Sequence, residues 1–259
     1  MKKVLALVLS MSMLLGLAGC GAKDTADDLA YLQEKGKMVI GITEYAPMDY
    51  RNEAGEWIGF DADLANKVGD DLGVEVEFLV LADWGQKYYE LDTKNIDCIW
   101  NGLTINEEAT LNASVTDPYA LNAQVVVLPA DKAGEYTTPE SLSGLTFAVE
   151  SGSAGEGVLQ DMGIADLVAV QDQPAAIMEV AAGTSDACVI DITMARAMTG
   201  AGTSYENLAI AQNLTEEQYG IAFRKGSSVT AKVNELLAGY KADGTLAALS
   251  ETYGVAVLE

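Results

Sequence analysis

Two segments set acids at the ends of short apolar runs: Asp97-Cys98-Ile99-Trp100-Asn101 and Asp186-Ala187-Cys188-Val189-Ile190-Asp191, followed by Thr104 and Thr193. A strand-end carboxylate such as Asp191 can accept charged N–H groups, or it can cap the helix that follows. Ser153 and Ala154 open a helical pattern, where free amides favour an anion, although Ser153 also reads as a turn residue. Tyr45 offers an aromatic face to apolar stems and cations. The missing chemistry is as informative. The chain contains no histidine, which excludes Ser-His-Asp and Cys-His catalysis and any His-ligated zinc or haem. No nucleophile elbow, P-loop or metal-ligand cluster occurs, so Asp191 or Glu44 would act as a general acid only if burial raised its pKa. These residue types suit binding without a metal or cofactor.

Thirty-nine Asp and Glu against 15 Lys and Arg give a net charge of −24. A chain so acidic lacks the cationic footprint that displaces counterions from phosphates, which excludes nucleic acid as a partner. A hydrophobic content of 49% separates it from acidic disordered chains. Its length suits one large domain or two of roughly 100 to 120 residues.

Lys2 and Lys3 precede a run from Val4 to Leu17 that is apolar but for Ser10, Ser12 and Gly16. It is shorter than the about 20 apolar residues of a spanning helix, and reads as a secretory signal over 1–19. Leu17-Ala18-Gly19-Cys20-Gly21 resembles the lipobox of bacterial lipoproteins. That resemblance implies cleavage before Cys20, a lipid on its sulfur and a membrane-tethered protein on the extracytoplasmic face, in the periplasm or at the cell surface. Cleavage would remove Lys2 and Lys3 and no acid, taking −24 to −26. Residues 20–35 then read as lipidated cysteine and tether, with AKDTADD at 22–28 as its polar part. Cys98 and Cys188 sit in apolar runs and read as core hydrophobes in preference to a disulfide.

Strand and helix patterns alternate along the rest. Strand-like runs fall at 37–42, 74–78, 96–100, 124–128, 146–149, 167–170, 188–190 and 219–223. Asp61 can cap a helix carrying Leu64, Ala65, Val68 and Leu72 on one face, and further helical patterns occupy 84–93, 154–162, 173–183, 192–199, 228–241 and 244–252. Such alternation implies an α/β architecture with parallel sheets and a ligand site at the carboxyl ends of strands. The echo between 97–101 and 186–191 suggests two similar sheets facing one cleft.

Taken in order, GITEYAPM (41–48), WIGFDADLA (57–65), NID (95–97), NGLTI (101–105), TDPY (116–119), FAVESGSA (147–154), SDACVID (185–191) and YGIAFRKG (219–226) resemble the solute-binding proteins of polar amino-acid ABC transporters. The resemblance spans nearly all of 36–255. It implies a two-lobed periplasmic-binding-protein type II fold, with two mixed sheets flanked by helices and joined by two crossover strands. Lobe one would be 36–119 plus 220–259, and lobe two with the crossovers 120–219. It also implies a monomeric receptor, not an enzyme, that binds a small amino acid or amine between the lobes and delivers it to a permease. A dehydratase-like enzyme on the same fold and a ligand sensor for a signalling receptor are the alternatives.

Carried over residue by residue, the aromatic wall falls on Tyr45. The groups holding the ligand's α-carboxylate fall on Gly102, Thr104, Ser153 and the Ala154 amide, and the acceptor of its α-ammonium on Asp191. One departure is plain. The family's carboxylate-clamping arginine falls on Ala109, and none of Arg51, Arg196 and Arg224 lies at a matching position. Glu44 adjoins Tyr45, and Trp84 or Trp100 could add an aromatic face. Glu44 reads equally as a solvated rim and the two tryptophans equally as core. Without an arginine the pocket would be net negative and suit an amine-bearing solute.

Overall fold

The computed structural model describes residues 27–258; the signal sequence, Cys20 and the start of the tether lie outside the described residues. β1 (Lys37–Ile42) buries every residue after Lys37, as a central parallel strand covered on both faces must. β4 (Glu75–Val80) and β5 (Cys98–Thr104) run parallel to it on either side. β13 (Glu217–Phe223) pairs antiparallel with β5, and β6 (Ser114–Val115) closes the edge beyond it. The second sheet has the order β10-β9-β11-β8-β12, built from β8 (Gln124–Pro129), β9 (Phe147–Glu150), β10 (Leu167–Val170), β11 (Ala187–Asp191) and β12 (Leu208–Asn213). Its β9, β10 and β11 are mutually parallel, whereas β8 runs antiparallel to β11 and β12. A ribbon of β2 (Tyr50–Arg51) and β3 (Trp57–Ile58) stands apart. The sheets are therefore mixed, because the strands that return between lobes enter against the parallel direction.

Two strands link the lobes. The chain leaves the first sheet through β7 (Ala120–Asn122) and returns through β13, and these pair antiparallel with Glu217 opposite Asn122 and Tyr219 opposite Ala120. The C-terminal segment lies along the same link, where Leu121 N–H donates to Ala256 O at 2.8 Å.

Helices flank both sheets: α2 (Phe60–Leu72), α3 (Lys87–Asp92), α4 (Glu107–Asn112), α8 (Ser228–Ala242) and α9 (Thr245–Tyr253) on the first, and α5 (Ala154–Asp161), α6 (Gln173–Ala182) and α7 (Ile192–Met198) on the second. α2 is capped by Gly59, not by Asp61, which lies buried inside the first turn. The largest departure from the sequence reading is α1 (Asp28–Lys35), which occupies most of the described part of the expected tether. Leu32 enters the core at 1% exposure, Asp28 meets Arg224 at 3.1 Å, and Leu29 N–H donates to Ser228 Oγ at 3.1 Å. Lobe one thus begins near Asp27. Cys98 and Cys188 are free, buried thiols in separate sheets, as small core residues.

Candidate ligand-binding cleft

The carboxyl ends of β1, β5, β9 and β11 face one another across a cleft lined by Tyr45, Gly102, Thr104, Ser153, Ala154 and Asp191, together with Trp84, Lys87, Glu150 and Gln173. Six of the eight residues singled out for ligand binding therefore meet there. The other two do not. Glu44 is exposed and absent from the lining, whereas its neighbour Tyr45 is buried and lines the cleft. Trp100 is fully buried in lobe one, edge-on to Tyr119 with ring centroids 6.5 Å apart. Its place in the interior of β5 makes it core. Trp84, by contrast, lines the cleft.

On the lobe-one side, Tyr45 is held by its hydroxyl, 2.6 Å from that of Tyr219. Gly102 has φ +59, and a Cβ there would lie 2.7 Å from the Tyr45 ring, so only glycine lets β5 pass behind the aromatic wall. The Gly102 amide donates to Asp61 Oδ2 at 2.7 Å, and Asp61 also accepts from the Tyr119 hydroxyl at 2.7 Å. The Thr104 hydroxyl donates to Glu217 Oε2 at 2.9 Å. Two of the groups assigned to a ligand carboxylate are thus committed to carboxylates of the protein itself.

On the lobe-two side, Asp191 follows four buried residues of β11 and is only 4% exposed. Its side chain makes no capping bond to α7. The carboxylate instead accepts from the side-chain amides of Gln173, Asn122 and Gln124, the last at 2.7 Å. Burial, with the charge of Glu217 next in weight, pushes its pKa up to about 6. Glu150 ends β9 at 3% exposure, and its Oε1 meets no hydrogen-bond donor. Burial raises its pKa to about 8, so at neutral pH it is largely protonated. Ser153 caps α5 by accepting from Glu156 N–H at 3.2 Å, and still lines the cleft. The Ala154 amide has no acceptor among the described residues.

The cleft is not without a cation. Lys87, at the start of α3, is 2% exposed, and its Nζ donates across to Gly152 O at 2.9 Å. The sequence reading missed it, although Lys87 stands three residues after Trp84, a spacing that aligns side chains on one helical face. Glu150 stands within the FAVESGSA segment at 147–154. Gln173, Asn122 and Gln124 carried no local signal, since only the fold brings them to Asp191. Ala109 is buried in α4, and no arginine reaches the cleft: Arg51 stacks over Trp57, Arg196 is exposed, and Arg224 pairs with Asp28 and Asp97.

The family model for bacterial extracellular solute-binding proteins, family 3, matches residues 38–256. The chain belongs to that family. Among relatives of this solute-binding protein, the L-cystine-binding protein TcyJ of Escherichia coli K12 is 28% identical over 243 residues, which cover 92% of the chain and 90% of TcyJ. A crystal structure of Tv2483 bound to L-arginine superposes with a TM-score of 0.80 at 28% identity, covering 89% of this chain and 96% of that one. The ancestral amino acid-binding protein AncCDT-1, a precursor of cyclohexadienyl dehydratase, matches with a TM-score of 0.78 at 28% identity, covering 87% and 98%. The family and its named relatives are solute-binding proteins, so this member is a binder and not an enzyme.

Proposed function

We propose that this solute-binding protein takes up an α-amino acid whose side chain carries a second amine or comparable N–H donor, and delivers it as a monomer to an ABC permease while tethered through Cys20. The observation carrying the reading is a pair of carboxyl groups, Asp191 and Glu150, in one cleft, the second with an oxygen that no protein group meets. A buried polar atom without a partner is unfavourable by about 1–3 kcal/mol, and a ligand donor would remove that penalty. Asp191 suits the α-ammonium and Glu150 the second nitrogen. Relatives support this choice, since L-cystine and L-arginine, named for TcyJ and Tv2483, each carry a cationic nitrogen beyond a single α-ammonium.

Thermal denaturation with L-arginine, L-ornithine, L-cystine, L-glutamine and L-glutamate tests the reading. A true ligand at 100 times its Kd should stabilise the protein by about 2.7 kcal/mol. We expect this from the first three, with Asp191→Asn weakening their binding by roughly a hundredfold, as loss of one member of a buried charged pair does. Stabilisation by L-glutamate alone, or undiminished binding to Asp191→Asn, would overturn it.

A further inference from the structure

The position expected to supply a cation holds Ala109, yet a cation enters the same cleft from a different helix. Lys87 is the one Lys or Arg among the cleft-lining residues. Burial holds its pKa below the ordinary lysine value, and the nearby carboxyl groups of Glu108, Glu150, Asp83 and Glu156 favour its charge without hydrogen-bonding it. The hydrogen-bond acceptor is a neutral carbonyl of the opposite lobe, Gly152 O. The one carboxylate within ion-pair range, Glu108, stands 4.0 Å away with its side chain 54% exposed. The Trp84 and Tyr88 rings, at 5.3 and 4.9 Å, soften the burial of an ammonium without supplying a counter-charge. An ammonium has three N–H donors, and Gly152 takes one.

The donors nearby are in the complementary state. The Gly102 amide and the Thr104 hydroxyl already serve Asp61 and Glu217. What remains for an incoming anion is the Ser153 hydroxyl hydrogen and the Ala154 amide, which lie one and two residues beyond the Gly152 that Lys87 touches. We propose that Lys87 binds the ligand's α-carboxylate, taking from α3 the role that an arginine on α4 would have had. The inference rests on the amino-acid reading of this cleft. It makes Lys87 an affinity- and specificity-determining residue that selects free carboxylates.

The test is isothermal titration of the mature chain as wild type, Lys87→Met and Lys87→Arg. The probes are L-arginine, L-ornithine and L-cystine, each with its α-carboxamide. In the wild type the carboxamides should bind about ten- to a hundredfold more weakly than the acids, the range for a hydrogen bond to a charged group. Lys87→Met should lose that same factor for the acids and change the carboxamides by less than about threefold, while Lys87→Arg retains acid binding. Unchanged acid binding by Lys87→Met overturns the inference and leaves the amino-acid reading standing. An equal loss for acid and carboxamide also overturns it, because Lys87 would then only tie the lobes together through Gly152. If no probe binds the wild type, the amino-acid reading fails and this inference fails with it. Should Lys87→Met not fold, as judged by circular dichroism, the wild-type preference for acid over carboxamide decides, and equal affinity overturns the proposal.

Discussion

Glu150 couples the cleft to pH. Its carboxyl titrates near 8 in the folded chain against an ordinary value of 4.5, with burial as the main cause. A folded-state pKa raised this way means that the native protein holds the proton more tightly. The contribution is fully present below about pH 4.5 and is lost as pH rises through 8. Asp191 acts in the same direction over a lower window, from 3.8 to about 6. The ligand-free protein should therefore melt at a lower temperature at pH 8.5 than at pH 5. Glu150→Gln should remove much of that slope, gaining on the order of a few kcal/mol over wild type at pH 8.5 and little at pH 5. Parallel Tm-against-pH curves for the two proteins would contradict this. At this scale the sequence was legible where a residue's neighbours along the chain define its setting. Asp191 follows a buried strand and Ser153 precedes a helix, and both line the cleft. Glu44 is exposed just past the end of β1 and Trp100 is buried inside β5, settings that residue type alone does not reveal.

The two lobes meet where the short 3-10 turn leading into α3 approaches the turn before α5. Gly152 has φ +71, and a Cβ on it would lie 2.4 Å from the Gly85 Cα of the opposite lobe. The lobes touch here backbone to backbone, and Lys87 donates to Gly152 O at the same place. Gly152→Ala should hold the lobes apart and add about 1–2 kcal/mol of left-handed strain. The expected outcome is ligand affinity at least about tenfold lower, with small-angle scattering showing no contraction at saturating ligand. Gly157→Ala, in open space on α5, is the control and should be neutral or stabilising by up to ~1 kcal/mol. Normal contraction of Gly152→Ala would refute the contact. Most elements of 10 residues or so with clear periodicity, such as α2 and α6, announce themselves in the sequence. β5 does not end at Trp100 as its apolar run suggests, because β13 pairs with it as far as Thr104. β12 is an edge strand of uneven burial, paired only with β8, and so lacks the alternation that marks a half-buried strand. α1 is hidden by polar surroundings, since one fully buried leucine and two ion pairs, Asp28 with Arg224 and Lys35 with Asp97, seat it on lobe one.

For the whole molecule the acidic balance separates into two settings. Most of it serves solubility, since a net charge of −24 keeps copies apart. Within the cleft Lys87 offsets part of the negative charge of Asp191 and Glu108, while Glu150 holds its proton at neutral pH. That arrangement suits the proposed ligand, an amino acid whose second nitrogen would meet Glu150 while its carboxylate meets Lys87. The proposed anchor is tested at this scale too: Cys20→Ser should release the protein from membranes into the soluble fraction on centrifugation, and continued membrane partitioning would rule the anchor out.

The seat of α1 adds a mechanical consequence. Its helix is fixed to lobe one through Arg224 and the core, beginning at Asp27 and Asp28. Between Cys20 and Asp27 the chain can span at most roughly 25 Å, even fully drawn out. If Cys20 carries the proposed lipid, lobe one, which holds α1, is leashed within that distance of the surface. A leash that short would hold the protein at high effective concentration beside a membrane partner, and the proposed delivery would then depend on lateral encounter and reorientation instead of diffusion through the bulk.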